Sequence, residues 1–332
     1  MFIRGRLRGG SRLIRAAAAL LIGLLLSGPA AAADEYPSRP IHVLVGFGPG
    51  GGMDLLARIV GQKLSEQLKQ PVVIDNKPGA GAMLAAELEA HAAPDGYTLL
   101  VAPNSTMVIN PAVYTKLPYS PRTDFAPISM LASIPCVLVV RAGLAIKTAP
   151  DLVAYAKAHP ASANASGSSA SFQLATEMFK LKTGAPFTYV SYKSTSEAVE
   201  AVISGEVLAG LLDAPPVAPQ LAAGTLRALA VASPQREPLF VNVPTLEEEG
   251  IHGAEINLWG GLFAPAATPR PIIDKLQGEV ATAMKDAGVR QRLAALRVVP
   301  VGNGSAEFAK FIATEVDRWT AVAKAAHISI EP

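Results

Sequence analysis

Residues 43 to 54 read VLVGFGPGGGMD: an apolar run, a glycine-rich turn, and the start of a helical pattern. Gly46, Gly48 and Gly51 fit G-x-G-x-x-G, and Asp75 in PVVIDN follows Gly51 by 24 residues, near where a dinucleotide fingerprint places its ribose-binding acid. A glycine turn that feeds a helix presents unpaired backbone N–H groups at the positive end of the helix dipole, which suits any small anion, phosphate or carboxylate. Pro49 removes one donor that a pyrophosphate cradle would use. The turn therefore specifies an anion and not a nucleotide, with a purely structural turn as the remaining alternative. Asp54 is either a helix-start residue favoured by the dipole or a contact to an ammonium or hydroxyl group of a ligand. Phe47 and Met53 either wall a pocket or pack beneath it, and Asp75 reads as a strand-end turn residue.

A second anion-binding candidate is NASGSSASFQLATEMF, residues 164 to 179. Ser166, Gly167, Ser168, Ser169 and Ser171 crowd the start of a helical pattern, where capping alone would need one hydroxyl. Three further stretches offer hydroxyls or a carboxyl: Tyr192, Ser194 and Thr195 in VSYKSTSE, Asp213 in GLLDAPP, and Asn104, Ser105 and Thr106 after YTLLVAP. For each of these, ligand contact and ordinary turn chemistry are equal alternatives.

Other chemistries lack their residues. The five histidines (His42, His91, His159, His252 and His327) are widely spaced, with no H-E-x-x-H and no cysteine pair, so neither a metal nor a cofactor is expected. No G-x-S-x-G elbow for a serine hydrolase occurs. Cys136, the only cysteine, excludes an internal disulfide and lies in the apolar run PCVLVV, as a buried inert thiol would. Glu247, Glu248 and Glu249 read as a solvated helix face, and Arg58 as an ion-pair partner between helices or on the surface.

The elements that must position these residues begin after a leader. Residues 1 to 33 carry Arg4, Arg6, Arg8, Arg12 and Arg15, then AAAALLIGLLLSG, then Ala31 and Ala33 in an A-x-A pattern, the layout of a secretory signal peptide cleaved after about Ala33. All five arginines leave with it, so the mature chain holds 24 basic against 27 acidic residues, near −3. With no basic stripe interleaved with aromatics, a nucleic-acid partner loses its electrostatic footing. Beyond the leader, short apolar runs alternate with helical patterns, the signature of an α/β protein. Leu56, Ile59, Val60, Leu64 and Leu68 form one helical stripe; residues 148 to 151 (TAPD) and 194 to 197 (STSE) have capping-box spacing; Gly184 and Gly205 stand where helices should end. The last 70 residues read as mainly helical. No Pro/Gly/Ser-rich linker divides the chain, so two lobes joined by two crossings, at ISMLASIPCVLVV and INLWGGLFAP, fit better than beads on a string. That assigns residues 34–133 plus 258–332 to one lobe and 134–257 to the other.

Taken in order, VLVGFGPGGGMDLLAR, PVVIDNKPGAG, APDGYTLLVAP, INPAVY, KLPYSPRTDFAPIS, GTLRALAV, VPTLEEEG and GLFAPAATP resemble the Bug-type solute-binding receptors of tripartite tricarboxylate transporters across nearly the whole mature chain. The resemblance implies a type II periplasmic-binding-protein fold with two α/β lobes and two hinge crossings, a small carboxylate held between them, no catalysis, and delivery to separate membrane permease subunits. It also implies a periplasmic monomer. Bug-type receptors usually have more glycine around Ser166 and a PYKGS pattern where this chain has Ser191 and Ser194, and they place a polar residue where Ala214 follows Asp213. These departures point to a different or differently seated ligand. Two alternatives stay open: a carboxylate sensor for a signalling partner, and an exported enzyme, NAD-dependent or with a hydroxyl nucleophile, using the same cleft.

Overall fold

The computed structural model describes residues 36–256 and 258–330, and the arginine-rich leader with its cleavage point lies outside them. Strand β1 (Ile41–Val45) is almost wholly buried, as a strand covered on both faces must be. The glycine turn leads into α1 (Gly52–Leu68), whose stripe Leu56, Ile59, Val60, Leu64 and Leu68 is buried. Then follow β2 (Val72–Asn76), α2 (Met83–Ala90) and β3 (Thr98–Pro103). Residues 105–109 form a turn of π-helix that runs into the short α3 (Asn110–Val113), so Ser105 and Thr106 lie in a helical segment and not in an ordinary turn. Strand β4 (Phe125–Ile134) ends at Pro135, and β5 (Cys136–Arg141) opens the second lobe.

That lobe continues with α4 (Ala149–Ala158), β6 (Asn164–Gly167), α5 (Ala170–Thr183), β7 (Thr188–Ser191), α6 (Thr195–Ser204), β8 (Ala209–Asp213), α7 (Ala214–Ala222) and β9 (Leu226–Val231). The expected local signals hold. Thr148 and Asp151 form a reciprocal capping box, Ser194 Oγ accepts from the Glu197 N–H, and Gly184 and Gly205 close their helices at φ 65° and 83°. Two expectations differ. NASG is a strand and not a helix-entry loop, because it pairs in parallel with β7 and β8. Glu247, Glu248 and Glu249 lie in turns, where they accept from His252, from Arg236 with the Thr245 N–H, and from the Ala149 N–H respectively. The chain then returns as β10 (Leu258–Pro265), α8 (Arg270–Ala283), α9 (Ala287–Ala295), a two-residue β11 (Val299–Pro300) and α10 (Ser305–Ala325).

The two sheets follow one scheme. The first runs β11-β4-β10-β3-β1-β2 and the second β7-β6-β8-β5-β9. In the first, β1 is parallel to β2 and β3, and β10, the strand that returns from the other lobe, is antiparallel to β3 and β4. In the second, β6 is parallel to β7 and β8, and β5, the strand that enters from the other lobe, is antiparallel to β8 and β9. Apart from the two-residue β11 at the edge of the first, each sheet is therefore ordered 2-1-3-n-4, where n is the strand delivered by a crossing. The result is a two-lobe α/β architecture whose crossings lie at Pro135 and ahead of β10. In open α/β sheets, ligands sit beyond the carboxyl ends of the parallel strands at the point where strand order reverses. Here those points are the ends of β1 and β3 in one lobe and of β6 and β8 in the other.

Candidate ligand-binding site

The stretches singled out from the sequence lie at the carboxyl ends of parallel strands, those of β1, β3, β6 and β8 and also β7. The turn with Phe47, Gly48 and Gly51 follows β1, Asn104 and Ser105 follow β3, Ser168, Ser169 and Ser171 follow β6, Tyr192, Ser194 and Thr195 follow β7, and Asp213 ends β8. Three helices begin there without a side-chain cap: Gly51 at α1 has none to give, the Ser169 side chain makes no capping bond at α5, and Asp213 makes none at α7. In α7, Pro215 and Pro216 carry no N–H and the Ala214 N–H is taken by the Pro135 carbonyl, so α1 and α5 are the two with free donors. The first-turn N–H groups of α1 and α5 are thus left to other acceptors.

On the first lobe, Asp54 is turned away from solvent and held by the protein. Its Oδ2 accepts from the Gly50 N–H at 2.8 Å and Arg58 Nε at 2.9 Å, and its Oδ1 accepts from Asn76 Nδ2 at 2.9 Å. Asn76 Nδ2 also donates to the Phe47 carbonyl at 2.9 Å, so one carboxyl and one amide pin both halves of the glycine turn. Burial would raise the Asp54 pKa, but the Arg58, Gly50 and Asn76 donors outweigh it and hold the group at about 2. Arg58 therefore pairs within its own helix, four residues on, and not with another helix. Replacing Asp54 with asparagine removes the charge that these donors share, at a cost of about 2 kcal/mol. A fall of about 3–6 °C in melting temperature is expected, and an unchanged melting temperature would refute the pinning role. Asp75, the acid a dinucleotide fingerprint would use, pairs instead with His42 Nδ1 at 2.8 Å.

On the second lobe the hydroxyls divide. Ser166 is buried and donates to the Ala198 carbonyl at 2.9 Å, and Ser194 caps α6. The Tyr192 hydroxyl donates to Glu206 Oε1 at 2.9 Å; burial and this carboxylate push its pKa up to about 12. Ser168 Oγ and Thr195 Oγ1 share a bond of 3.0 Å, which joins the β6 and β7 loops. Thr195 also lies beside the Asp213 carboxyl, whose pKa is raised by burial and lowered in part by that hydroxyl. Asp213 Oδ1 is buried with no hydrogen-bond partner, as is Thr106 Oγ1 in the π-helical turn. Ser171 is buried, Ser169 exposed, and Asn104 buried at the start of its turn.

A cavity of about 270 Å³ brings Met53 of α1 and Asp213 of β8 together, so both lobes contribute to one space. The sequence did not place Leu296 and Val298, which wall the same cavity from the segment after α9. Nothing local marks them, since they arrive by the return of the chain. Among the described residues no group of three His, Cys, Asp or Glu stands close enough to hold a metal ion, and no helix is long and apolar enough to cross a membrane. Cys136 is free and fully buried, with its thiol pKa raised by that burial and by the nearby Asp213 and Glu237.

Two lobes of this strand order, with uncapped helix starts and a shared cavity between them, define a solute-binding receptor fold. Residues 56–328 match the model of the tripartite tricarboxylate transporter family receptor, and the chain belongs to that family. Protein BugT of Bordetella pertussis (strain Tohama I) is 36% identical over 297 residues, covering 88% of this chain and 90% of its own. Two solved structures are similar throughout. Rpa4515 of R. palustris, solved with adipate, is 32% identical with a TM-score of 0.76, over 90% of this chain and 100% of that one. MatC of Rhodopseudomonas palustris, solved with bound malate, is 32% identical with a TM-score of 0.72, over 86% and 99%.

Proposed function

We propose that this protein is a periplasmic receptor that captures a small carboxylate between its lobes and delivers it, chemically unchanged, to the permease subunits of a tripartite transporter. The observation that carries this reading is the pair of uncapped helix starts, α1 after Gly51 and α5 after Ser169, at the carboxyl ends of β1 and β6. Backbone N–H groups there hold a carboxylate without a fixed positive charge, which keeps release possible. Ser168, Ser169, Ser171, Thr195, Asn104 and Ser105 add neutral donors, and Gly48, Phe47 and Met53 form the floor. Asp54, Ser166, Tyr192 and Ser194 act through the loops they hold. The lobes, residues 34–133 with 258–332 and 134–257, close as rigid bodies about Pro135 and the second crossing, driven by preference of the ligand for the closed state. The protein acts as a monomer, which light scattering after size exclusion checks.

The test is a thermal-shift screen of residues 34–332 against mono-, di- and tricarboxylates, amino acids, aromatic acids and NAD. A ligand at 100 times its dissociation constant adds about 2.7 kcal/mol, a rise of several degrees. Stabilisation by one narrow set of carboxylates, with each acid recovered intact, is the expected result. Stabilisation by NAD alone, or turnover of the acid, would overturn the reading in favour of an exported enzyme.

A further inference from the structure

The cavity between the lobes has walls that anion capture does not require. Met53 and Leu56 of α1, Ile134 at the crossing, Pro215 of α7, and Leu296 and Val298 after α9 line it, and Asp213 supplies its one ionisable side chain. A second carboxylate or several hydroxyls placed among these walls would lose water without gaining partners, a cost of a few kcal/mol per unpaired group. Apolar ligand surface placed there gains about 25 cal/mol per Å² removed from water. An apolar void of about 150 Å³ holds benzene, so the 270 Å³ here admits a ring with a substituent. Asp213 has the Thr195 hydroxyl beside its carboxyl, and its buried Oδ1 has no hydrogen-bond partner in the protein, so a donor that enters with the ligand would satisfy it.

We propose that the ligand of this cleft is a carboxylic acid with a ring-sized apolar body and one O–H or N–H donor directed at Asp213, and not a compact di- or tricarboxylate. The inference rests on the carboxylate-receptor reading above and adds the class of acid. The carboxylate occupies a helix start, the body fills the space between Met53, Leu56, Leu296 and Val298 of one lobe and Ile134 and Pro215 of the other, and the donor meets Asp213. Because the walls come from both lobes, the apolar body is also the part of the ligand whose burial rewards closure. A compact polar acid would engage the helix starts alone and leave this space unfilled.

Titration calorimetry on residues 34–332 decides it, with three sets of acids: 3- and 4-hydroxybenzoate and their phenylacetate counterparts, benzoate and phenylacetate without the hydroxyl, and malate and citrate. The expected order is hydroxylated ring acid, then plain ring acid, then malate and citrate, with at least tenfold between the first two for one hydroxyl position. Asp213→Asn should remove most of that tenfold while leaving the plain acid within twofold. Leu296→Gln should weaken every ring acid, and both variants are first checked for wild-type circular dichroism. Malate or citrate binding more tightly than every ring acid would overturn the proposal and leave the receptor reading standing. Equal affinities with and without the hydroxyl at every position would overturn the role of Asp213, and silence of all three sets would overturn the proposal, the reading beneath it being decided by the wider panel above.

Discussion

Replacing Glu89 with glutamine is expected to stabilise the protein by on the order of 3 kcal/mol at pH 7 and to flatten its melting temperature between about pH 5 and 8. Glu89 lies in the last turn of α2, fully buried, and neither carboxyl oxygen has a hydrogen-bond partner. Burial pushes its pKa up from 4.5 to about 8, and the negative end of the helix dipole adds to the cost of ionisation there. The folded state therefore holds a proton that the unfolded chain releases above about pH 4.5. Stability from this group is fully present below that pH and is lost as pH rises toward 8. Asp54 acts with the opposite sign: its folded pKa of about 2 lies below the unfolded value, so its contribution is present above about pH 4 and lost as pH falls through 2. Glutamine cannot ionise, so the variant should lose the alkaline decline and keep the acid one. Scanning calorimetry at half-unit steps from pH 4.5 to 8.5 checks this, and a wild-type melting temperature that is level across that range would sink it.

The parts of the fold that were legible in the sequence are those set by local rules. The stripe from Leu56 to Leu68 follows the helical period, Thr148 with Asp151 and Ser194 with Glu197 are caps spaced three residues apart, and Gly184 and Gly205 supply the left-handed residue that ends a helix. The loops of the candidate site were legible for a related reason. Turn residues cluster after strands, and here every such cluster follows the carboxyl end of a strand. The direction of each hydroxyl was not legible. Ser166 sits in a four-residue polar strand that exists only because β7 and β8 flank it, and its hydroxyl faces α6. The pinning of the glycine turn was hidden as well, since it needs Asn76, which is far from Asp54 in the chain and adjacent to it only through the pairing of β1 with β2. Leu296 and Val298 reach the cleft by the longest return in the fold.

The strongest effect in the glycine turn itself should come from Gly46→Ala, with a loss of about 3 kcal/mol, while Gly48→Ala should leave stability within about 0.5 kcal/mol. Both glycines belong to the G-x-G-x-x-G pattern, yet their surroundings differ. A Cβ on Gly46 would lie 2.3 Å from the Cβ of Ala82 and 2.7 Å from its Cα, whereas one on Gly48 meets nothing within 4 Å. Ala82 cannot easily retreat, because it sits at the entry of α2 with φ 69°, a left-handed conformation already unfavourable for alanine. The first glycine is thus required by the packing of one helix entry against another, which is why a dinucleotide-like pattern arises without a dinucleotide. A Cβ on Gly48 stands in open space, so its substitution tests the proposed ligand site and not the fold. Melting curves should drop by roughly 6 °C for Gly46→Ala and by at most about 1 °C for Gly48→Ala. Affinity for the acid should fall tenfold or more in Gly48→Ala on the proposed placement of the carboxylate at this turn, since the added methyl group would crowd it. Equal thermal losses in the two variants would refute the packing role of Gly46, and wild-type affinity in Gly48→Ala would move the carboxylate away from this turn to the α5 start on the other lobe.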